Sequence, residues 1–348
     1  MNELDAAGIT DPALRASYAE CKRLNSLHGK TYFLATLLLP PAKRPFVHAL
    51  YGFARYADEI VDDLASTLSP QEKADVLRTW SSGVLADLKT GKSNDAVGAA
   101  LVDTVTRFKI PHQHFVDFLH SMEMDLTVTT YATFDDLYEY VYGSAAVIGL
   151  EMLPILGTIS DGAYESAKNL GVAFQLANFI RDVGEDLDRG RIYLPLDELA
   201  AHGVTEEMLY ARVLTPEIIA ALKFQIARVR QLQKDADSGI ELLDPTSRPC
   251  IRAASELYCG IVDEVEAIGY DIFNKRAKTS TARRLRVAGR AYIQALSARC
   301  ALNEKRGSTC VTRNAAERIS TRDRPLDPSG NADVERIYTC LPSKSLQH

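Results

Sequence analysis

The sequence predicts an all-α protein, and three observations carry that expectation. Strand signals are nearly absent along the 348 residues. Helix-start signals recur along the chain. Two acidic clusters sit inside apolar runs with helical phasing.

The elements follow in order. Apolar periodicity places helices over 11–27 and 43–66. Ser69-Pro70-Gln71-Glu72 is a capping box with proline at the first helical position, and it opens a helix over 70–90. A further helix covers 95–108. Ile110-Pro111 starts one over 112–129, and Thr133-Phe-Asp-Asp136 supplies an N-cap with an acidic first turn for 134–158. Helices over 161–187 and 205–212 precede one that Thr215-Pro216 opens over 216–239. Gly269 closes a helix over 249–268 as a C′ glycine, and a last helix runs over 281–301. After about Leu302 the chain turns polar and charged, with Gly307, Pro325, Pro328 and Gly330. The expected organisation is one helical domain, 1–302, and a disordered tail, 303–348.

Bulk properties exclude several classes. A hydrophobic content of 46% is ample for a large core, and a net charge of −6 argues against nucleic acid as a partner. The six cysteines form no C-x-x-C pair, so they point to a reducing compartment and to neither a disulfide framework nor a zinc site. The N-terminus lacks the basic and apolar regions of a secretory signal. Gly143 to Ile159 is apolar but carries Glu151 and Pro154, which suits a buried helix better than a membrane span. A cytoplasmic protein is expected, touching the inner membrane face at most peripherally.

The chemistry resides in the acidic clusters. Tyr51, Arg55, Asp58 and Asp62 follow steps of four, three and four, which is one helical stripe. Gln175, Asn178, Asp182 and Asp186 form a second. Like charges at i, i+4 destabilise an isolated helix, so two such pairs call for a cation. Mg²⁺ is the usual partner of carboxylates that share a site with phosphate oxygens, and Mn²⁺ is the alternative. Arg55, Arg181, Arg189 and Arg191 add donors for phosphate. Once a diphosphate leaves an allylic carbon, the carbocation needs a dry cavity with aromatic faces, for which Tyr32, Phe33, Tyr51, Tyr140 and Phe174 are candidates. A single Asp-x-x-x-Asp is usually a solvated face. Two with matching phase in apolar surroundings are not.

These residues carry a resemblance. Asp58-Glu-Ile-Val-Asp62-Asp63 and the run from Asn178 through Arg181-Asp182-Val-Gly-Glu185-Asp186 to Arg189-Gly-Arg191-Ile-Tyr193-Leu-Pro195 resemble the two signatures of the squalene/phytoene synthase family. The second is most similar to its bacterial phytoene-forming branch. His28-Gly-Lys30-Thr31-Tyr32-Phe33, Met124-Asp125-Leu126, and Tyr258 with Asp263-Glu264 and Gly269-Tyr270-Asp271 agree with further family blocks, so the resemblance spans about residues 15–296. It implies an isoprenoid-synthase-type helical bundle around a central cavity. It also implies head-to-head condensation of two geranylgeranyl diphosphates to phytoene through prephytoene diphosphate.

Carried over by position, Asp58, Asp62, Asp182 and Asp186 match metal-binding aspartates, with Asn178 beside them. Tyr51 and Tyr258 match catalytic-site tyrosines. His28, Lys30, Thr31, Arg55, Tyr140, Gln175, Arg181 and Lys275 match substrate-binding positions. Two departures stand out. Ser144-Ala145-Ala146 replaces a common Val-Ala-Gly, and Lys275-Arg276 replaces two arginines. No nicotinamide cofactor is expected, because no Gly-x-Gly-x-x-Gly follows a strand. Downstream carotenoid enzymes are the expected protein partners. The rivals are a squalene or dehydrosqualene synthase acting on farnesyl diphosphate and a non-catalytic helical assembly subunit. Intact aspartates in both motifs count against the second.

Overall fold

The structure, a computed structural model, describes residues 2–62 and 68–320, without the side chains of Lys30, Asp62, Pro70 and residues 302–320. Among the described residues there is no strand, only isolated bridges pairing Thr130 with Ile192 and Thr158 with Leu243. All the rest of the regular structure is helical.

The N-terminal half begins with α1 (Glu3–Ala6) and α2 (Pro12–His28). Asp11 caps α2 by accepting from the Leu14 amide, with Pro12 preset for the first turn. Gly29 separates α2 from α3 (Lys30–Thr36), a short helix within a segment for which periodicity gave no element. Helix α4 (Arg44–Asp62) carries the first acidic stripe. Ser69 and Glu72 close the expected capping box of α5 (Pro70–Thr90), and α6 (Gly98–Phe108) and α7 (His112–Met124) follow. Their apolar faces meet in one cluster around Tyr18, Phe46, Phe53, Leu101 and Phe115.

The expected helix over 134–158 is divided. Thr133 and Asp136 cap α8 (Phe134–Val141), a π-helical turn covers Tyr142–Ala146, and α9 (Val147–Leu156) continues. The Val147 amide bonds the Tyr142 carbonyl five residues back, so one extra residue is absorbed in the turn. The turn presses on α10 (Ala163–Asp188) because Gly171 has no side chain. A Cβ there would lie 2.4 Å from the Ala145 carbonyl oxygen.

Helix α10 carries the second acidic stripe and packs on α13 (Pro216–Ile240), after the short α11 (Leu196–Ala201) and α12 (Glu206–Tyr210). The helix expected over 249–268 is broken into α14 (Arg248–Tyr258) and α15 (Ile261–Ala267). The Arg283 guanidinium occupies the space that a Cβ on Gly260 would need, and its Nη1 donates to the Gly260 carbonyl. Gly269 ends α15 with φ +69, as a C′ glycine does. A second core cluster gathers Leu137, Tyr140, Ile180, Leu209, Ile218 and Val262.

Helix α16 spans Thr281–Ser320. The chain divides into a unit Met1–Arg299 and a unit Cys300–His348. Of the tail expected over 303–348, the backbone of 303–320 is therefore helical, and 321–348 lies outside the described residues.

Candidate active site

Both acidic stripes carry the same local device, an arginine gripping the first aspartate. On α4, Arg55 Nη1 donates to Asp58 Oδ2 at 2.7 Å, and its other terminal nitrogen reaches Glu59. On α10, Arg181 holds Asp182 with both Nε, at 2.7 Å, and Nη2. Asp62 sits on α4, but its side chain is outside the described residues.

Asp182 and Asp186 are driven apart electrostatically although one turn separates them. Burial pushes the Asp182 carboxyl up, but the Arg181 hydrogen bonds and charge, with Arg276 beside them, hold it below the usual carboxylate range. Among the described residues Asp186 has no such partner. Burial first, and then the Asp182 charge, raise it to about 7 against the pull of Arg189 and Arg191. Arg191 is itself fixed from below. Its Nη1 lies 3.0 Å from Asp125 Oδ2, and the Tyr193 hydroxyl donates to Asp125 Oδ1 at 2.6 Å. Asp125 is almost fully buried, so this trio is a rigid support beneath the C-terminal end of the second stripe.

Two spaces adjoin here. An apolar cavity of about 260 Å³ runs between α9, α10, α13 and α14, walled by Tyr32, Ile148, Phe174, Leu170 and Ile251. A basic mouth of about 480 Å³ is lined by His28, Thr31, Arg181, Arg276, Lys278 and Arg284. Asn178 and Tyr258 line both, so they stand at the junction. Tyr258 stacks on Phe174 at 4.9 Å, and burial, then the neighbouring Tyr51, push its hydroxyl up to about 12. Tyr51 reaches the same place from α4, its ring 5.6 Å from that of Tyr32. Gly29 permits this, because a Cβ on it would come within 2.7 Å of the Tyr51 ring.

Most of the expected site is thus gathered in one region. Gln175 and Asn178 line the cavity, Tyr51 and Tyr258 flank its opening, and His28, Thr31 and Arg181 line the mouth. The Lys30 side chain is outside the described residues. Three expectations move. Tyr140 does not line the cavity. It is buried in the second core, packed on Tyr131, Phe179 and Tyr193. Phe33 likewise stacks on the buried His48. Lys275 points away, largely exposed and paired with Asp271 at 3.4 Å. Its neighbour Arg276 lines the mouth instead and donates from Nε to Asp182 at 2.9 Å.

Sequence reasoning did not assign Arg276, Lys278 or Arg284 to the site: the first two lie in the loop before α16, where helical periodicity gives no direction, and Arg284 sits on the first turn of α16, away from either acidic motif. It named Asp125 only within a block. Ser144, noted as a departure, is delivered by the π-helical turn to the cavity wall, and its hydroxyl has no hydrogen-bond partner among the described residues. Among the described residues no three His, Cys, Asp or Glu side chains cluster as a metal site, with Asp62 outside the set.

This geometry has clear relatives. The family model for squalene/phytoene synthase matches residues 26–283. A chloroplastic phytoene synthase of Narcissus pseudonarcissus is 39% identical over 290 residues, covering 81% of this chain and 67% of its own. Phytoene synthase 2 of Solanum lycopersicum is 38% identical over 81% of this chain and 92% of its own. Among solved structures, a dehydrosqualene synthase in complex with ligand superposes with a TM-score of 0.73 at 28% identity, over 82% of this chain and 98% of that one. A squalene synthase from Alicyclobacillus acidocaldarius shares the fold with a TM-score of 0.70. With two arginine-gripped aspartate stripes, an apolar chamber and a basic mouth on one all-α scaffold, the chain belongs to the squalene/phytoene synthase family.

Proposed function

We propose that this chain is a phytoene synthase, a prenyltransferase that joins two geranylgeranyl diphosphates head to head through prephytoene diphosphate. The observation that carries the reading is the shared wall at Asn178 and Tyr258, where an apolar chamber meets a basic mouth. An isoprenoid tail fits the first and a diphosphate the second. Arg181, Arg276 and Lys278 neutralise and orient the phosphate oxygens, Arg181 and Arg276 with forked donors. Tyr32, Phe174 and Tyr258 exclude water from the reacting carbons and turn ring faces toward a developing cation.

The acidic residues fit a divalent cation. Among the described residues no hydrogen bond reaches the half-buried Asp186 carboxyl, raised to about 7 partly by its neighbour Asp182, and a cation would relieve both burdens. Asp58, Asp62, Asp182 and Asp186, with Asn178, would hold Mg²⁺, or Mn²⁺ in its place. When bound, the metal supplies Lewis acidity to the departing diphosphate. The same reading makes the protein cytoplasmic with peripheral membrane contact, handing phytoene to downstream carotenoid enzymes. No described helix is long and apolar enough to cross a membrane.

The test is incubation with geranylgeranyl diphosphate and Mg²⁺, followed by product identification. Phytoene is expected. Turnover of farnesyl diphosphate alone, to squalene or dehydrosqualene, would replace the reading with that of a shorter-chain relative. No turnover of either substrate would favour a non-catalytic subunit.

A further inference from the structure

The N-terminal half of α16 has two faces. Val287, Ala291 and Ala295, at steps of four, are buried against the helical core. The opposite arc is also apolar, yet it faces solvent: Leu285 is 69% exposed, Tyr292 55%, Ile293 66% and Leu296 42%. Single exposed apolar side chains are ordinary, but four in one helical stripe are not. Charge marks the same stretch. Residues 275–299 contain eight Lys or Arg and no Asp or Glu, in a chain whose net charge is −6. Some of these cations are used internally: Arg276 on Asp182, Arg283 on Asp263 and Arg299 on the Leu38 and Leu39 carbonyls. Arg286 and Arg290 are exposed on the shoulder of the apolar stripe and make no ion pair among the described residues.

We propose that this face of α16 docks on an anionic lipid bilayer, with Leu285, Tyr292, Ile293 and Leu296 entering the interface and Arg286 and Arg290 meeting lipid phosphates. Charge complementarity selects this occupant. An apolar stripe bordered by cations is the pattern of a helix lying in an anionic membrane surface. Position agrees: Arg284, adjacent to Leu285, lines the basic mouth, and so does His28, which the exposed Leu27 precedes. The docked face would therefore bring the entrance of the cavity to the bilayer. Only this last consequence, entry and exit of greasy molecules, rests on the proposed function. Binding itself does not.

The experiment is vesicle flotation of the full chain with phosphatidylcholine alone or mixed with phosphatidylglycerol, beside an assay with detergent-dispersed substrate. The chain should float with anionic vesicles, far less with neutral ones, and come off in high salt. Arg286→Gln with Arg290→Gln should reduce partitioning by about tenfold or more, at roughly 1 kcal/mol per cation. Ile293→Asp with Leu296→Ser should abolish flotation. Both variants should keep the wild-type circular dichroism and detergent-assay turnover, which shows that they fold. Absence of flotation, flotation insensitive to either pair, or sedimentation showing a dimer that Ile293→Asp dissociates would each overturn the proposal. Flotation as expected with a product other than phytoene would leave the docking face standing and remove the functional reading.

Discussion

Arg276 donates from Nε to Asp182 Oδ1 across 2.9 Å, tying the segment before α16 to the second acidic stripe 94 residues earlier. Asp182 is thereby held by two guanidinium groups, from Arg181 and Arg276, and Asp186 by neither. One carboxylate of the pair is fixed and fully charged. The other is raised and available.

This contact predicts an asymmetry between adjacent residues. Arg276→Gln should lower kcat/KM by about 10- to 100-fold, the worth of a charge-assisted hydrogen bond at a partly buried site. Lys275→Gln, which removes only an exposed pair with Asp271, should stay within about twofold. Equal effects in steady-state assays would show that the two roles have been assigned wrongly.

The aspartates themselves should be far less tolerant. Asp58→Asn and Asp182→Asn nearly preserve shape while removing a carboxylate. Each should cost about 10³-fold or more in turnover at saturating Mg²⁺, because the leaving group loses several kcal/mol of Lewis-acid stabilisation. Near-normal rates from either variant would remove that aspartate from the metal assignment.

Glu151 gives a stability prediction in pH. It is fully buried on α9, neither carboxyl oxygen has a hydrogen-bond partner among the described residues, and burial raises it to about 8 from an ordinary 4.5. Between those values the unfolded chain sheds a proton that the folded chain keeps, so stability falls as pH rises through this window. The loss approaches about 5 kcal/mol at pH 8 if the full shift is expressed, at 1.36 kcal/mol per unit. Glu151→Gln should flatten it. Urea midpoints of both proteins at pH 5 and pH 8 decide the matter, and parallel pH dependence would show that Glu151 ionises freely.

Two glycines should respond oppositely to alanine. Gly171→Ala places a Cβ 2.4 Å from the Ala145 carbonyl oxygen and should destabilise by about 1–3 kcal/mol. Gly83, within α5, has nothing within 4 Å, and Gly83→Ala should stabilise by about 0.5–1 kcal/mol. Thermal melts of the two variants should therefore shift in opposite directions.

The tail offers a simpler test. The unit Met1–Arg299 contains the cavity and the mouth, and the family match ends at residue 283. Truncation after Asn303 should leave a folded protein that still forms phytoene. Loss of product by a truncated chain with native circular dichroism would assign the removed residues a part in the reaction.

Helix boundaries set by local chemistry were legible in the sequence. Ser69 with Glu72, Thr133 with Asp136, Thr215 with Pro216 and Gly269 each act within a few residues of themselves. The acidic stripes were legible because a helix fixes direction at every step. The π-helical turn at Tyr142–Ala146 was not, since it depends on Gly171 admitting the Ala145 carbonyl from another helix. Nor was the break at Gly260, which depends on Arg283 arriving from 23 residues away. Tyr140 has the phase of a cavity residue, but only packing on Tyr193 and Phe179 tells that its ring turns into the core. The choice between Lys275 and Arg276 fell in a loop, where adjacent side chains have no fixed relation.

The cavity wall takes residues from both core clusters: Ala35, Leu39 and Met152 belong to one, and Ala145, Leu170 and Ala236 to the other. Each cluster is consolidated by aromatic contacts that do not line the chamber, Phe53 on Phe115 in the first and Phe179 on Tyr193 in the second. Drift at a wall position therefore alters the room available more readily than it threatens the scaffold. A lineage built this way can explore longer or shorter guests by small steps, keeping a working protein at each one.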